Sequence, residues 1–145
     1  MQLIPITESE DKNNELYQSS SCQDLLTIYK DFYKSIGYKL PWVGYFIFKN
    51  EKIVGSCGFK GAPKNKKVEI AYWTFSENEK QGIATEACRL LVELALKTDS
   101  KVIISAQTLP EENASTSILK KNGFVFTGET TDEEVGVAWE WIYKK

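Results

Sequence analysis

The sequence contains no histidine, and that absence narrows what the chain can do. Without imidazole there is no Ser-His or Cys-His nucleophilic pair and no histidine general base. A zinc centre loses its usual nitrogen ligand, so no metal is expected. Cysteine is sparse: Cys22, Cys57 and Cys88 are odd in number and widely spaced. Each falls in an expected helix or strand, which suits small buried thiols better than bridges or metal ligands. With neither histidine nor an obvious cationic neighbour to activate them, a covalent acyl-cysteine is not expected. No run approaches the roughly 18 apolar residues of a membrane span. The opening MQLIPITESEDK lacks the basic and apolar regions of a secretory signal, so no membrane partner and a cytoplasmic location are expected. An excess of positive charge is missing too. Eighteen Lys and Arg against 20 Asp and Glu give a net charge of −2, with no basic footprint for nucleic acid. Carboxylates, tyrosines, hydroxyls and the backbone remain to do any chemistry.

What is present reads as one globular domain over residues 1–145, with 42% hydrophobic and 26% charged residues. Leu25, Ile28, Tyr29, Phe32, Tyr33 and Ile36 recur at helical spacing, with Ser21 and Asp24 as a capping box ahead of them and Gly37 behind. The segment from Glu8 to Tyr17 reads as a shorter, weaker helix. WVGYFIFK and KIVGSCGFK, joined at Asn50-Glu51, read as a hairpin. After the basic loop KGAPKNKK comes a third strand, VEIAYWTF. Ala84, Ala87, Cys88, Leu91, Val92 and Ala95 then form one apolar stripe of a second helix. VIISAQ is a nearly continuous apolar strand, which predicts burial on both faces. A short helix, ASTSILKKN, closes at Gly123, and FVFTGET and EVGVAWEWIYKK complete the chain. The fold class is α+β, a mixed central sheet flanked by helices.

The stretch EKQGIATEA runs from a strand through a glycine turn into a helix. That geometry presents backbone N–H groups, at the positive end of the helix dipole, to an anion. Neither G-x-x-x-x-G-K-[ST] nor G-x-G-x-x-G is present. Alternation along VEIAYWTF places Glu69, Ala71, Trp73 and Phe75 on one face. A carboxylate among aromatic and small apolar residues has its pKa raised by desolvation, which suits a general base. The competing reading has Glu69 as a solvated residue beside Lys66 and Lys67. Tyr29, Tyr33, Tyr38, Trp42 and Tyr45 are expected mainly in core packing.

The succession VEIAYW, EKQGIATEA and TLPEENASTSILKKNGF resembles the GNAT N-acetyltransferases, in particular the branch containing the ribosomal-protein N-terminal acetyltransferases. The resemblance extends from GFKGAP to Phe124, and the element order is also that family's. It implies acetyl-CoA as acyl donor and an amine acceptor, either a small molecule or a protein N-terminus. A bulge late in the central strand would free backbone at Trp73, Thr74 and Phe75 for the pantetheine arm. The pyrophosphate would lie on Gln81, Gly82, Ile83, Ala84 and Thr85, and Asn113 would bond the cofactor's arm. Glu69 matches a position that holds a catalytic glutamate in some members. The tyrosine that many members use as general acid is absent from ASTSILKKN, which leaves Ser115 or Ser117 as donor. Glu79 stands where the family pattern has Gln or Arg, with Lys80 and Gln81 near enough to offset its charge. The alternative to an enzyme is a non-catalytic acyl-CoA-binding or sensing module of the same fold.

Overall fold

The structure is a computed structural model that describes residues 1–75, 78–79, 81–132 and 136–145. Two dipeptide turns set the register of its central strands. Asn50 and Glu51 both take positive φ, 52° and 64°, the geometry whose twist matches a right-twisted hairpin. They join β2 (Gly44–Lys49) to β3 (Lys52–Phe59). Asn65 and Lys66 repeat the conformation at 53° and 65°, closing a Lys64↔Lys67 bridge that leads into β4 (Lys67–Thr74). Four more strands complete the set: β1 (Gln2–Pro5), β5 (Ile103–Thr108), β6 (Phe124–Asp132) and β7 (Gly136–Tyr143). Glu134 and Val135, expected to begin the last strand, lie outside the described residues.

The seven strands form one sheet in the order β1-β2-β3-β4-β5-β7-β6. Every neighbouring pair is antiparallel except β4 with β5. That single parallel step requires a crossover, and α2 (Ile83–Thr98) supplies it. The other helices are α1 (Ser20–Ile36) and α3 (Ala114–Lys121). The α+β architecture and the element order are as the sequence predicts.

Three local expectations are corrected. The helix expected at Glu8–Tyr17 is only a 3-10 turn, Glu15–Tyr17. Asp11 and Asn14 accept from the backbone N–H groups of Asn13 and Leu16 (both 2.9 Å), and such local side-chain bonds compete with a helical ladder. The N-cap of α1 is Ser19, not Ser21; its Oγ accepts from Cys22 N–H at 3.1 Å. Strand β5 is buried on both faces only past its first residue: Ile104 and Ala106 on one face and Ser105 on the other are enclosed, while Ile103 is 44% exposed.

The reason lies in how the helices divide the sheet. On one face Val68, Ile70, Ile104, Ala106 and Trp141 pack with Ala87, Cys88 and Leu91 of α2 and Leu119 of α3. On the other, Cys22, Leu25 and Leu26 of α1 cover Ile6, Phe46, Ile53 and Phe75. Helix α1 therefore covers the β1–β3 end and leaves Ile103 open. All three cysteines are buried, and none is in a disulfide.

Tyr33 ties α1 to the sheet. Its buried hydroxyl donates to Ile6 C=O at 2.7 Å and accepts from Gly44 N–H at 3.0 Å. Tyr33→Phe leaves both backbone groups without that partner and should cost about 1–3 kcal/mol. A urea unfolding series would show this as a lower midpoint at unchanged slope; an unshifted midpoint refutes the assignment.

Candidate functional site

The site begins where two strands part. β4 and β5 pair in parallel from Lys67↔Ile103 to Ile70↔Ala106. Both continue beyond that point, β4 to Thr74 and β5 to Thr108, without pairing with each other. A wedge therefore opens at their C-terminal ends.

Backbone alternation shows which groups face it. Phe75 N–H donates to Val54 C=O at 2.9 Å, and Glu69 C=O accepts from Lys60 N–H at 2.9 Å. Odd-numbered residues of β4 thus point their backbone at β3, and even-numbered ones at β5. Beyond Ile70, the N–H and C=O groups of Tyr72 and Thr74 are directed into the wedge. The bulge expected in β4 is not formed, since the β3–β4 register runs unbroken from Phe59↔Ile70 to Gly55↔Thr74. Divergence from β5 frees the backbone instead. A Cβ added at Gly55 would lie 2.3 Å from Trp73 C=O, so β3 and β4 approach too closely there for any other residue.

The wedge opens into a cleft of about 520 Å³ between the end of β4 and the starts of α2 and α3. Trp73, Thr74, Gly82, Ile83, Ala84, Thr85 and Ser115 all line it, as the sequence predicts. Three other expected residues do not. Phe75 is 1% exposed, its side chain in the core under α1 and its N–H already bonded to Val54. Gln81 is exposed but does not line the cleft. Asn113 is the N-cap of α3: its side chain accepts from Thr116 N–H at 3.1 Å, and Thr116 Oγ1 accepts from Asn113 N–H at 3.0 Å. This reciprocal capping box engages Asn113 Oδ1 in holding the helix start.

The cleft floor is the N-terminus of α2. Helices α1 and α3 carry capping side chains, Ser19 and Asn113. Helix α2 begins at Gly82 with φ 74° and has no side-chain cap. Glycine supplies the left-handed conformation at no steric cost, and a Cβ there would meet nothing within 4 Å. Among the described residues no side chain caps the N–H groups of the first turn, Ile83, Ala84 and Thr85, and the positive end of the helix dipole lies there. Asn122 Nδ2 donates to Thr85 C=O at 3.2 Å, holding α3 against this first turn. Glu79 is exposed at the cleft's edge, and Lys80 lies outside the described residues.

Ser117, the other expected donor, lines the cleft too, as do Tyr72, Asn78, Ala114, Ile118 and Lys121, which sequence reasoning missed. Two signals were available. Tyr72 shares its strand face with Thr74, and Ala114, Ser117, Ile118 and Lys121 stand at i, i+3, i+4 and i+7 along α3. Tyr72 hydroxyl donates to Ser115 C=O at 3.2 Å, and burial raises the phenol's pKa, with buried Cys88 adding to the shift. It is a protonated donor on the cleft wall at neutral pH. Thr74 Oγ1 is buried there with no hydrogen-bond partner among the described residues.

Glu69 lies on the opposite face, in a second cavity of about 280 Å³. The aromatic, desolvating surround expected for it is not formed. Ala71 and Trp73 on the same face are exposed, and Lys60 Nζ sits 2.6 Å from Glu69 Oε2. The absence of α1 over this part of the sheet explains the difference. Glu69 nonetheless stands one residue before the last β4–β5 pair, at the apex of the wedge.

Residues 3–125 match the family described as the acetyltransferase (GNAT) domain. An uncharacterized N-acetyltransferase of Bacillus subtilis, YjdG, is 30% identical over 95 residues, 65% of this chain and 54% of that protein. The ribosomal-protein-serine acetyltransferase of Escherichia coli is 26% identical over 85 residues, 58% of this chain and 48% of that protein. The chain thus spans about half the length of these curated relatives. The microcin C7 self-immunity acetyltransferase MccE, solved in complex with acetyl-CoA and AMP, shares the fold with a TM-score of 0.66 at 16% identity, covering 87% of this chain and 71% of that one. An unpaired strand wedge over an uncapped helix start, together with a family match across most of the sequence, assigns the chain to the GNAT acetyltransferase family.

Proposed function

We propose that the protein is an N-acetyltransferase that takes its acetyl group from acetyl-CoA and passes it directly to an amine, a small molecule or a protein N-terminus, in a ternary complex. The observation that carries this is the joining, in one cleft, of the uncapped α2 start and the unpaired end of β4. The residues suit such a donor. Three backbone N–H groups at a helix N-terminus match a diphosphate. The open backbone of Tyr72 and Thr74, with the orphaned Thr74 Oγ1, matches the amides of an extended arm. Bound there, the thioester supplies an activated acetyl carbonyl.

The protein's part is then positioning and proton transfer. An amine arriving from the Glu69 side attacks the carbonyl; the C–N bond forms as the C–S bond breaks. Glu69 takes the proton that the amine gives up. The departing sulfur accepts a proton from Ser115 or Tyr72 on the cleft wall; its own pKa near 8.5 means that strong acid help is not essential. Wedge-facing backbone N–H groups of β4 hold the developing oxyanion. Burial pushes the Cys88 thiol up to about 12 and raises Cys57 as well, which favours direct transfer over an acyl-cysteine.

One observation favours a second reading, a non-catalytic acyl-CoA binder: the candidate base already faces a lysine at 2.6 Å. Calorimetry with acetyl-CoA, followed by thiol release across an amine panel, separates the two. Enzymatic function requires both binding and turnover; binding with no turnover on any acceptor supports the sensor, and no binding of any CoA thioester removes both.

Two variants test the roles. Gly82→Val forces a branched side chain into φ 74° and aims it at the open cleft, so acetyl-CoA affinity should fall at least about tenfold. Equal affinity in a folded variant would mean that the turn merely starts a helix. Glu69→Gln should lower kcat by about 100-fold or more, with the loss greatest at low pH, where the acceptor amine holds its proton. A pH-independent, near-native rate would remove Glu69 from the reaction.

A further inference from the structure

The cavity that holds Glu69 has a charge arrangement that speaks to the acceptor. Its walls carry two ion pairs, Lys60 with Glu69 at 2.6 Å and Lys67 with Glu140 at 2.7 Å. A third lysine on the wall, Lys64, has no acidic side chain within 4 Å among the described residues. The cavity is therefore net positive, although the chain as a whole is at −2.

The charges are also ordered along the strands. Near the apex of the wedge stand Glu69, one residue before the last β4–β5 pair, and Gln107, one residue after it. Gln107 Oε1 is buried and has no hydrogen-bond partner among the described residues. A buried orphan acceptor calls for a donor such as an ammonium or amine N–H. Away from the apex lies the Asn65-Lys66 turn. Its positive-φ geometry folds the chain back so that Lys64 and Lys67 face each other across a bridge at the cavity's outer end. Gln107 stands beside the wedge with Glu69, which Lys60 neutralises, and Lys64 lies at the turn away from it.

We infer that this cavity selects a small amine that also carries a carboxylate, bound with its amine toward Gln107 and Glu69 and its anion toward Lys64. The inference rests on the acetyltransferase reading only for the fate of the amine; the anion site stands on the geometry. Each glutamate is already neutralised by its own lysine, so a polycationic amine finds no net acidic field and meets Lys64 besides. The volume, about 280 Å³, lies just below the roughly 300–1,000 Å³ of drug-sized sites and suits an amino-acid-sized molecule.

The test has a binding arm and a turnover arm. In the first, the protein, with and without CoA, is titrated with 4-aminobutyrate, its amide and spermidine. 4-Aminobutyrate should bind more tightly than the other two, and Lys64→Glu, an exposed reversal on a turn, should weaken it at least about tenfold. Preference for spermidine or the amide, no 4-aminobutyrate binding, or equal binding by the native protein and Lys64→Glu overturns the proposal. In the second arm, thiol release is followed with glycine, β-alanine and 4-aminobutyrate, each against its own amide. At least one acid should exceed its amide in kcat/KM by about tenfold or more, through KM, and lose that advantage in Lys64→Glu and partly in Lys64→Ala. Amides equal to or better than the acids across the panel overturn the proposal. 4-Aminobutyrate binding that depends on Lys64, with no thiol release from any amine, upholds the anion site and removes the acetyltransferase reading instead.

Discussion

The parting of β4 from β5 after Ile70 and Ala106 is the constraint on which the rest of the molecule turns. A parallel pair must be bridged by a long crossover, and α2 is that crossover, so its N-terminus is delivered to the mouth of the gap by topology alone. Each remaining partner of the sheet serves the separation. β4 stays paired with β3 to its end, β5 stays paired with β7 through Thr108↔Trp139, and Trp141 Nε1 bonds Thr108 Oγ1 at 3.0 Å. The strands are held apart by what each holds on its far side. In an open α/β arrangement, ligands collect where neighbouring strands cease to pair at their carboxyl ends.

Much of this was legible in the sequence. The stripe Ala84 to Ala95 marked α2, Asn50-Glu51 marked a hairpin, and Gly123 closed α3 with φ 84°. The signals were strong because each is local: a helical period, a turn residue, a left-handed glycine. Cleft residues on such local elements, Gly82 through Thr85, were placed correctly for the same reason.

What the sequence left hidden depends on the third dimension. Phe75 and Thr74 are neighbours on one strand, yet one is spent on the core under α1 and the other opens on the cleft. Only the reach of α1 across the sheet decides how enclosed each odd-numbered residue of β4 becomes. Glu69 illustrates the consequence: alternation placed it beside Trp73, but with no helix over that region its partner is Lys60, brought in by β3. Asn113 is hard to read for another reason: it caps α3, and a side chain that caps a helix and one that binds a ligand call for the same residue types.

Thr74 Oγ1 on β4 and Gln107 Oε1 on β5 stand on either side of the same gap, and among the described residues neither has a hydrogen-bond partner. Burying a polar atom without such a partner costs free energy. The parting of the two strands therefore carries a polar cost on each of them, at the place where they separate.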